Sequence, residues 1–228
     1  MCGRFAQVIK YEQLKKLINE LKIKDLSEQI EINYNLAPTQ TTVAILTKDN
    51  LRYPGFFRWG LIPSWSREIG KYNLINIRSE NILEKPTFKT GLSRRRCLIP
   101  ANGFYEWRKG DKAPFFIHPT DSGLLYMAAI YDSWTAPDGS YIPSCGIITT
   151  AANQDISALH DRMPVILTSS AWDAWLNPQN SDPIVISTLL NPLPEGMLKL
   201  RPVSKYVNSI RNNDERCWQE ETATDTIF

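Results

Sequence analysis

The sequence predicts an α+β fold, one domain over residues 1–228 built on antiparallel sheet with helices packed around it. Three observations lead there. Extended segments outnumber helical ones and do not alternate regularly with them, which argues against a doubly wound sheet. Fifteen prolines are spread along the chain, as expected for many short elements joined by turns. A chain of 228 residues, 43% of them hydrophobic, is also long enough to bury a sizeable core.

Taken in order, "YEQLKKLINEL" sets Leu14, Leu17, Ile18 and Leu21 at helical spacing and reads as an amphipathic helix. "TTVAILT" is rich in β-branched residues and reads as a strand. "LINIRSE" alternates, with Ile75 and Ile77 facing one way and Asn76 and Arg78 the other. "PFFIH", "LLYMAAIYDSW", "CGIITTA" and "PVILT" read as further strands. "NQDISALH" is a short helix with Asn153 at its N-cap and Ile156 and Leu159 on one face. "SSAWDAWLNP" is another, started by Ser169 or Ser170 and stopped near Pro178. We see no internal repeat, low-complexity tract or Gly/Ser-rich linker.

Composition narrows the function classes. No apolar run of about 18 residues exists, so no membrane-spanning helix is expected. The N-terminus lacks a basic stretch followed by an apolar one, so a cytoplasmic protein is expected. The cysteines, Cys2, Cys97, Cys145 and Cys217, are widely spaced, with no C-x-x-C pair and only His118 and His160 to accompany them. Neither a structural zinc site nor a disulfide framework is expected, nor any cofactor. A net charge of +2 does not by itself announce a nucleic-acid binder. The run Arg94, Arg95, Arg96 reads as a solvated face.

Several residues have a chemical reading beside a plainer one. Cys2, in "MCGRF", carries a free amine and a thiol on adjacent carbons once Met1 is removed; otherwise it is simply a small residue after the start. Glu106, in "GFYEW", shares a strand face with Phe104. A carboxylate beside a ring in a partly buried site has a raised pKa and suits proton transfer; the alternative is an exposed edge-strand glutamate. His160, in "HDRMP", follows the short helix, where unsatisfied carbonyls favour the imidazolium; the alternative is a helix-capping histidine. Asn76 and Arg78 pair a neutral amide with a cation, and Arg162 offers a phosphate donor. "RWGLIPSW" places Trp59 in the core and can present Trp65 to a base, where stacking contributes about 1–3 kcal/mol per base.

Together, "MCGRF", "NYNLAPT", "RWGLIPSW", "LINIRSE", "RCLIPANGFYEW", "LHDRMPVIL" and "RPVSKYVN", in this order, resemble the SRAP family, the SOS response-associated peptidases. The likeness runs from Cys2 to about Asn212. It implies a compact α+β domain around a barrel-like sheet, flanked by helices. It also implies an abasic-site processing protein that acts as a monomer on single-stranded DNA, binding it and bonding covalently to the abasic site. Carried over residue by residue, Cys2 is the nucleophile, with Asn76, Glu106 and His160 around it. Gly3, Arg4, Arg78 and Arg162 match DNA-contacting positions, and Pro38 and Trp65 match a wedge that splays the strand. Ser66 departs from the pattern, standing where some relatives carry a second aromatic.

The chemistry explains the residue types. A ring-opened abasic sugar presents an aldehyde at C1′. The Cys2 amine condenses with it to a Schiff base, and the thiol closes on the same carbon to give a thiazolidine. A reference α-amine pKa of about 7.7–8.0 leaves only a minor fraction as free base at neutral pH, so a proton acceptor is needed. Glu106 is placed to move that proton or the one needed for ring opening, and His160 can shuttle a proton at the sugar hydroxyl or assist reversal of the adduct. Single-stranded substrate needs no base flipped from a duplex. Two other classes remain open from sequence: a thiol hydrolase or autopeptidase with an N-terminal nucleophile, and a non-catalytic reader of single strands.

Overall fold

The computed structural model describes residues 2–24, 30–69 and 74–221. The chain begins with β1 (Arg4–Gln7), α1 (Tyr11–Leu21), β2 (Asn33–Leu36), β3 (Thr41–Lys48), β4 (Leu51–Trp59) and β5 (Asn76–Arg78). It continues through α2 (Pro86–Arg94), β6 (Arg96–Ala101), β7 (Gly103–Trp107), β8 (Pro114–Pro119), β9 (Leu125–Thr135) and β10 (Tyr141–Ala151). It ends with α3 (Gln154–Ser157), β11 (Arg162–Pro164), α4 (Ser169–Leu176), α5 (Pro183–Ser187) and β12 (Leu198–Pro202), followed by short 3-10 turns at Lys205–Asn208 and Glu215–Cys217.

The predicted α+β class and barrel-like sheet are borne out. β10 pairs with both β4 and β9, so the order β10–β4–β3–β6–β9 closes on itself as a five-stranded barrel. The barrel is mixed rather than wholly antiparallel, because β10 runs parallel to β4 and to β5. A second, antiparallel sheet has the order β12–β8–β7–β1–β2. Alternation along β1 and β7 gives that sheet two buried faces. Phe5 and Phe104 pack with Trp59, Met127 and Ile147 of the barrel. Ala6 and Tyr105 pack under Val203, Val207 and Cys217 of the C-terminal segment. Close approach of β7 to β8 requires Gly103, where a Cβ would lie 2.4 Å from the Ile117 carbonyl oxygen.

α1 forms where its periodicity predicts, burying Leu17 and Leu21, and ends at Lys22 in the left-handed region. Trp59 is fully buried. Three local readings change. In "PVILT" the paired segment is Arg162–Pro164, and beyond Pro164 only Ile166 bridges to Met127. α4 is capped by Thr168, one residue before the serines. Asn153 stands at the N-cap of α3 as read from the sequence, its side chain donating to the Leu193 carbonyl at 3.0 Å rather than accepting from a helix N–H. Arg96 is not solvated: it is buried and donates to the carbonyls of Trp175, Leu92, Ser93 and Asn177 at 2.6–2.8 Å. It thereby satisfies carbonyls at the ends of α2 and α4 that would otherwise be orphaned.

All four cysteines are buried, and burial raises each thiol, that of Cys145 to about 12 from 9.0. Above the unfolded thiol pKa the denatured chain therefore binds fewer protons than the native one, and stability falls as pH rises. Between about pH 9 and 12 each buried thiol should contribute a slope approaching 1.4 kcal/mol per pH unit. Urea midpoints measured across that range should decline, and less steeply in Cys145→Ala; a flat profile would refute the assignment.

Candidate active site

Cys2 lies just ahead of β1, fully buried between the two sheets. Its carbonyl accepts a 2.8 Å hydrogen bond from Asn76 Nδ2. β5, paired in parallel with β10 through Asn76 opposite Ile147, thus reaches out of the barrel to hold the residue. With Nδ2 so committed, Asn76 Oδ1 is fixed as an acceptor; it is buried and has no hydrogen-bond partner among the described residues. Cys2 Sγ lies 3.8 Å from the Arg4 carbonyl oxygen. Burial, and then the charge of Glu106, hold the thiol above the ordinary cysteine range, so it is protonated at neutral pH.

Glu106 is 3% exposed, which removes the reading of a solvated edge-strand glutamate. β7 directs it to the same side as Phe104, toward the barrel. His160 lies in the turn between α3 and β11. Its Nδ1 is 2.8 Å from Asp161 Oδ1 and 3.0 Å from the backbone N–H of Arg162. Asp161 also meets Lys109 Nζ at 4.0 Å, and its carbonyl accepts from Ala152 N–H at 3.0 Å. These contacts tie the His160 turn to the hairpin carrying Glu106 and to the end of β10.

β5 and β11 flank that end of β10, with Arg78 opposite Thr149 and Arg162 opposite Ala151. Arg78 is exposed. Arg162 donates to both oxygens of Glu80, at 2.5 and 2.9 Å, and to Thr149 O and Oγ1 at 2.6 and 3.2 Å. Arg4 lies on the other face of β1. It donates to Asn35 Oδ1 at 2.6 Å and to the carbonyls of Val207 and Asn208 at 3.1 and 3.3 Å. Buried Asn35 in turn donates to the carbonyls of Val207, Ser209 and Asn212 at 2.9–3.1 Å. Arg4 therefore pins β1 to the C-terminal segment. Sequence reasoning assigned no role to Asn35 or Glu80, although both stand inside quoted motifs, "NYNLAPT" and "LINIRSE".

Gly3 and Pro38 are half-buried. Pro38 sits on the β2–β3 turn, where Thr39 N–H donates to the Trp59 carbonyl at 2.8 Å. Trp65 is 59% exposed, and its Nε1 donates to Thr87 Oγ1 at 2.8 Å. Its turn is anchored to the barrel: Ser64 N–H donates to Asp132 Oδ2 at 3.0 Å, and Trp134 Nε1 to the Ser66 carbonyl at 2.6 Å. Ser66 is buried and its hydroxyl closes the turn on the Glu68 carbonyl at 2.9 Å, a role an aromatic could not fill. The structure thus brings Cys2, Asn76 and Glu106 together and sets His160, Arg78 and Arg162 at the adjoining end of β10. A cavity of about 410 Å³ beside α1 and α4, lined by Lys16, Tyr126 and Trp172 among others, contains none of them.

The family model for "SOS response associated peptidase (SRAP)" matches residues 1–210. The chain belongs to the SRAP family. Among SRAP relatives, an "Abasic site processing protein YoqW" of Bacillus subtilis is 39% identical over 220 residues, covering 93% of this chain and 96% of that protein. An "Abasic site processing protein HMCES" of Mus musculus is 32% identical, covering 81% of this chain and 64% of that protein. The SRAP fold here is similar to the crystal structure of a Bacteroides thetaiotaomicron protein, with a TM-score of 0.84 at 27% identity, covering 97% of this chain and all of that one.

Proposed function

We propose that this SRAP chain processes abasic sites in single-stranded DNA by covalent capture through Cys2, after removal of Met1 by itself or by a methionine aminopeptidase. The observation that carries this reading is the Asn76 Nδ2 bond to the Cys2 carbonyl, beside a buried Glu106 whose charge acts on the Cys2 thiol. It gains support from relatives that are named abasic site processing proteins.

Because the thiol is held protonated, the amine attacks first. It adds to the C1′ aldehyde and loses one water to give the Schiff base. The sulfur then adds to the same carbon; its proton passes by way of Glu106 to the former imine nitrogen, and the thiazolidine is complete. Asn76 Oδ1 accepts from the Cys2 amine or a sugar hydroxyl. His160 serves a sugar oxygen and the reverse reaction. Arg78 and Arg162 hold phosphates. Arg4 secures the strand that carries Cys2, and its N–H groups not used internally remain for the DNA. Pro38 and Trp65 splay the bases, and Gly3 lets the backbone approach.

Intact mass after mixing with a single-stranded oligonucleotide containing one abasic site is the direct test. The expected product is protein plus DNA minus one water. A variant that retains one residue before Cys2 should bind the DNA and give no stable adduct. Equal cross-linking by that variant would replace this mechanism with simple thiol addition, and no adduct from the processed protein would end the reading.

A further inference from the structure

We propose that Glu80 sets selectivity at this site by occupying Arg162 in the place of a DNA phosphate. The inference rests on the reading of Arg162 as a phosphate ligand. Both Glu80 oxygens accept from the Arg162 guanidinium, at 2.5 and 2.9 Å, the two-pronged arrangement that a phosphate also takes. The carboxylate lies on the solvent side of the pair: its side chain is 49% exposed, that of Arg162 13%.

Arg162 does not need Glu80 to stay in place. From within, Thr149 O and Oγ1 accept from its NH2, and β11 is fixed to β10 through Met163 opposite Thr150. Glu80 itself sits on a single 3-10 turn, Ser79–Asn81, directly after β5. Arg78 also acts on the same carboxylate, and hydrogen bonding to Arg162 lowers its pKa, so it is ionised at neutral pH. One glutamate thus partly neutralises both cations at the end of β10. An intact strand, held by phosphates alone, must displace it and gains little. An abasic strand anchored at Cys2 displaces it within an already formed complex. The design penalises the wrong partner rather than rewarding the right one.

The test compares Glu80→Gln with the parent protein on intact and abasic single strands, by fluorescence anisotropy at several salt concentrations. Binding of intact DNA should tighten about fivefold. Its log–log salt slope should steepen by up to about 0.7, because no freed carboxylate takes up a cation. The preference for abasic over intact DNA should fall. Unchanged or weaker binding by a folded Glu80→Gln, or by Glu80→Ala should the first variant melt early, would show that Glu80 only orients Arg162 and would overturn the proposal. Arg162→Gln separates the two readings. If it binds like the parent, the phosphate role of Arg162 is wrong; if it binds weakly while Glu80→Gln fails to tighten, only the Glu80 proposal falls.

Discussion

Cys2→Ala, with Met1 removed, should form no adduct that survives a denaturing gel, whereas the parent protein should convert abasic single strands to one. The variant keeps an α-amine in the place held by Asn76, so a Schiff base can still form and borohydride should trap it. Without borohydride it hydrolyses, because no sulfur closes the ring. The loss is therefore one of persistence rather than of encounter, and DNA affinity before reaction should stay within about twofold. Alanine at Cys97, Cys145 or Cys217 should leave the yield per folded molecule unchanged. Cys97 and Cys145 are packed in the barrel core, and Cys217 lies in the C-terminal segment, packed with Ala6 and Tyr105. A stable adduct from Cys2→Ala would remove the thiol from the chemistry.

Glu106→Gln should slow adduct formation by about 10²–10⁴-fold, the usual contribution of a positioned proton-transfer group. Glutamine preserves shape and hydrogen-bonding capacity and deletes the charge and the exchangeable carboxylate. The Cys2 thiol would then lose one of the two influences that raise its pKa, leaving burial alone. Single-turnover rates across pH should show the parent rising as the Cys2 amine loses its proton, with a flatter and lower profile in the variant. Parallel losses in rate and affinity would reassign Glu106 to positioning.

The long-period signals were legible in the sequence. α1 has four aliphatic residues at helical spacing, and β3, β8, β9 and β10 are apolar or β-branched runs long enough to stand out. Closure of the barrel was not, because parallel pairing of β10 with β4 joins Cys145 to Trp59 and leaves no local pattern. Arg96 was misread for a related reason: three adjacent arginines look alike in one dimension, and only the helix ends that converge on the third distinguish it. At the site, Cys2, Asn76 and Glu106 stood out through their motifs. Glu80 did not, since its partner Arg162 lies 82 residues away and an acidic residue after a strand is usually just solvated.

The contacts between Arg4, Asn35 and the C-terminal segment set an order of events in synthesis. Arg4 meets the Val207 carbonyl across 203 residues of chain. A growing polypeptide holds its first strand long before the segment that fastens it has left the ribosome. Closing so long a loop comes late and slowly in folding. Cys2 therefore gains its fixed geometry among the last steps, once the whole barrel stands behind it, and a nascent chain carries a second residue that is not yet an aimed one.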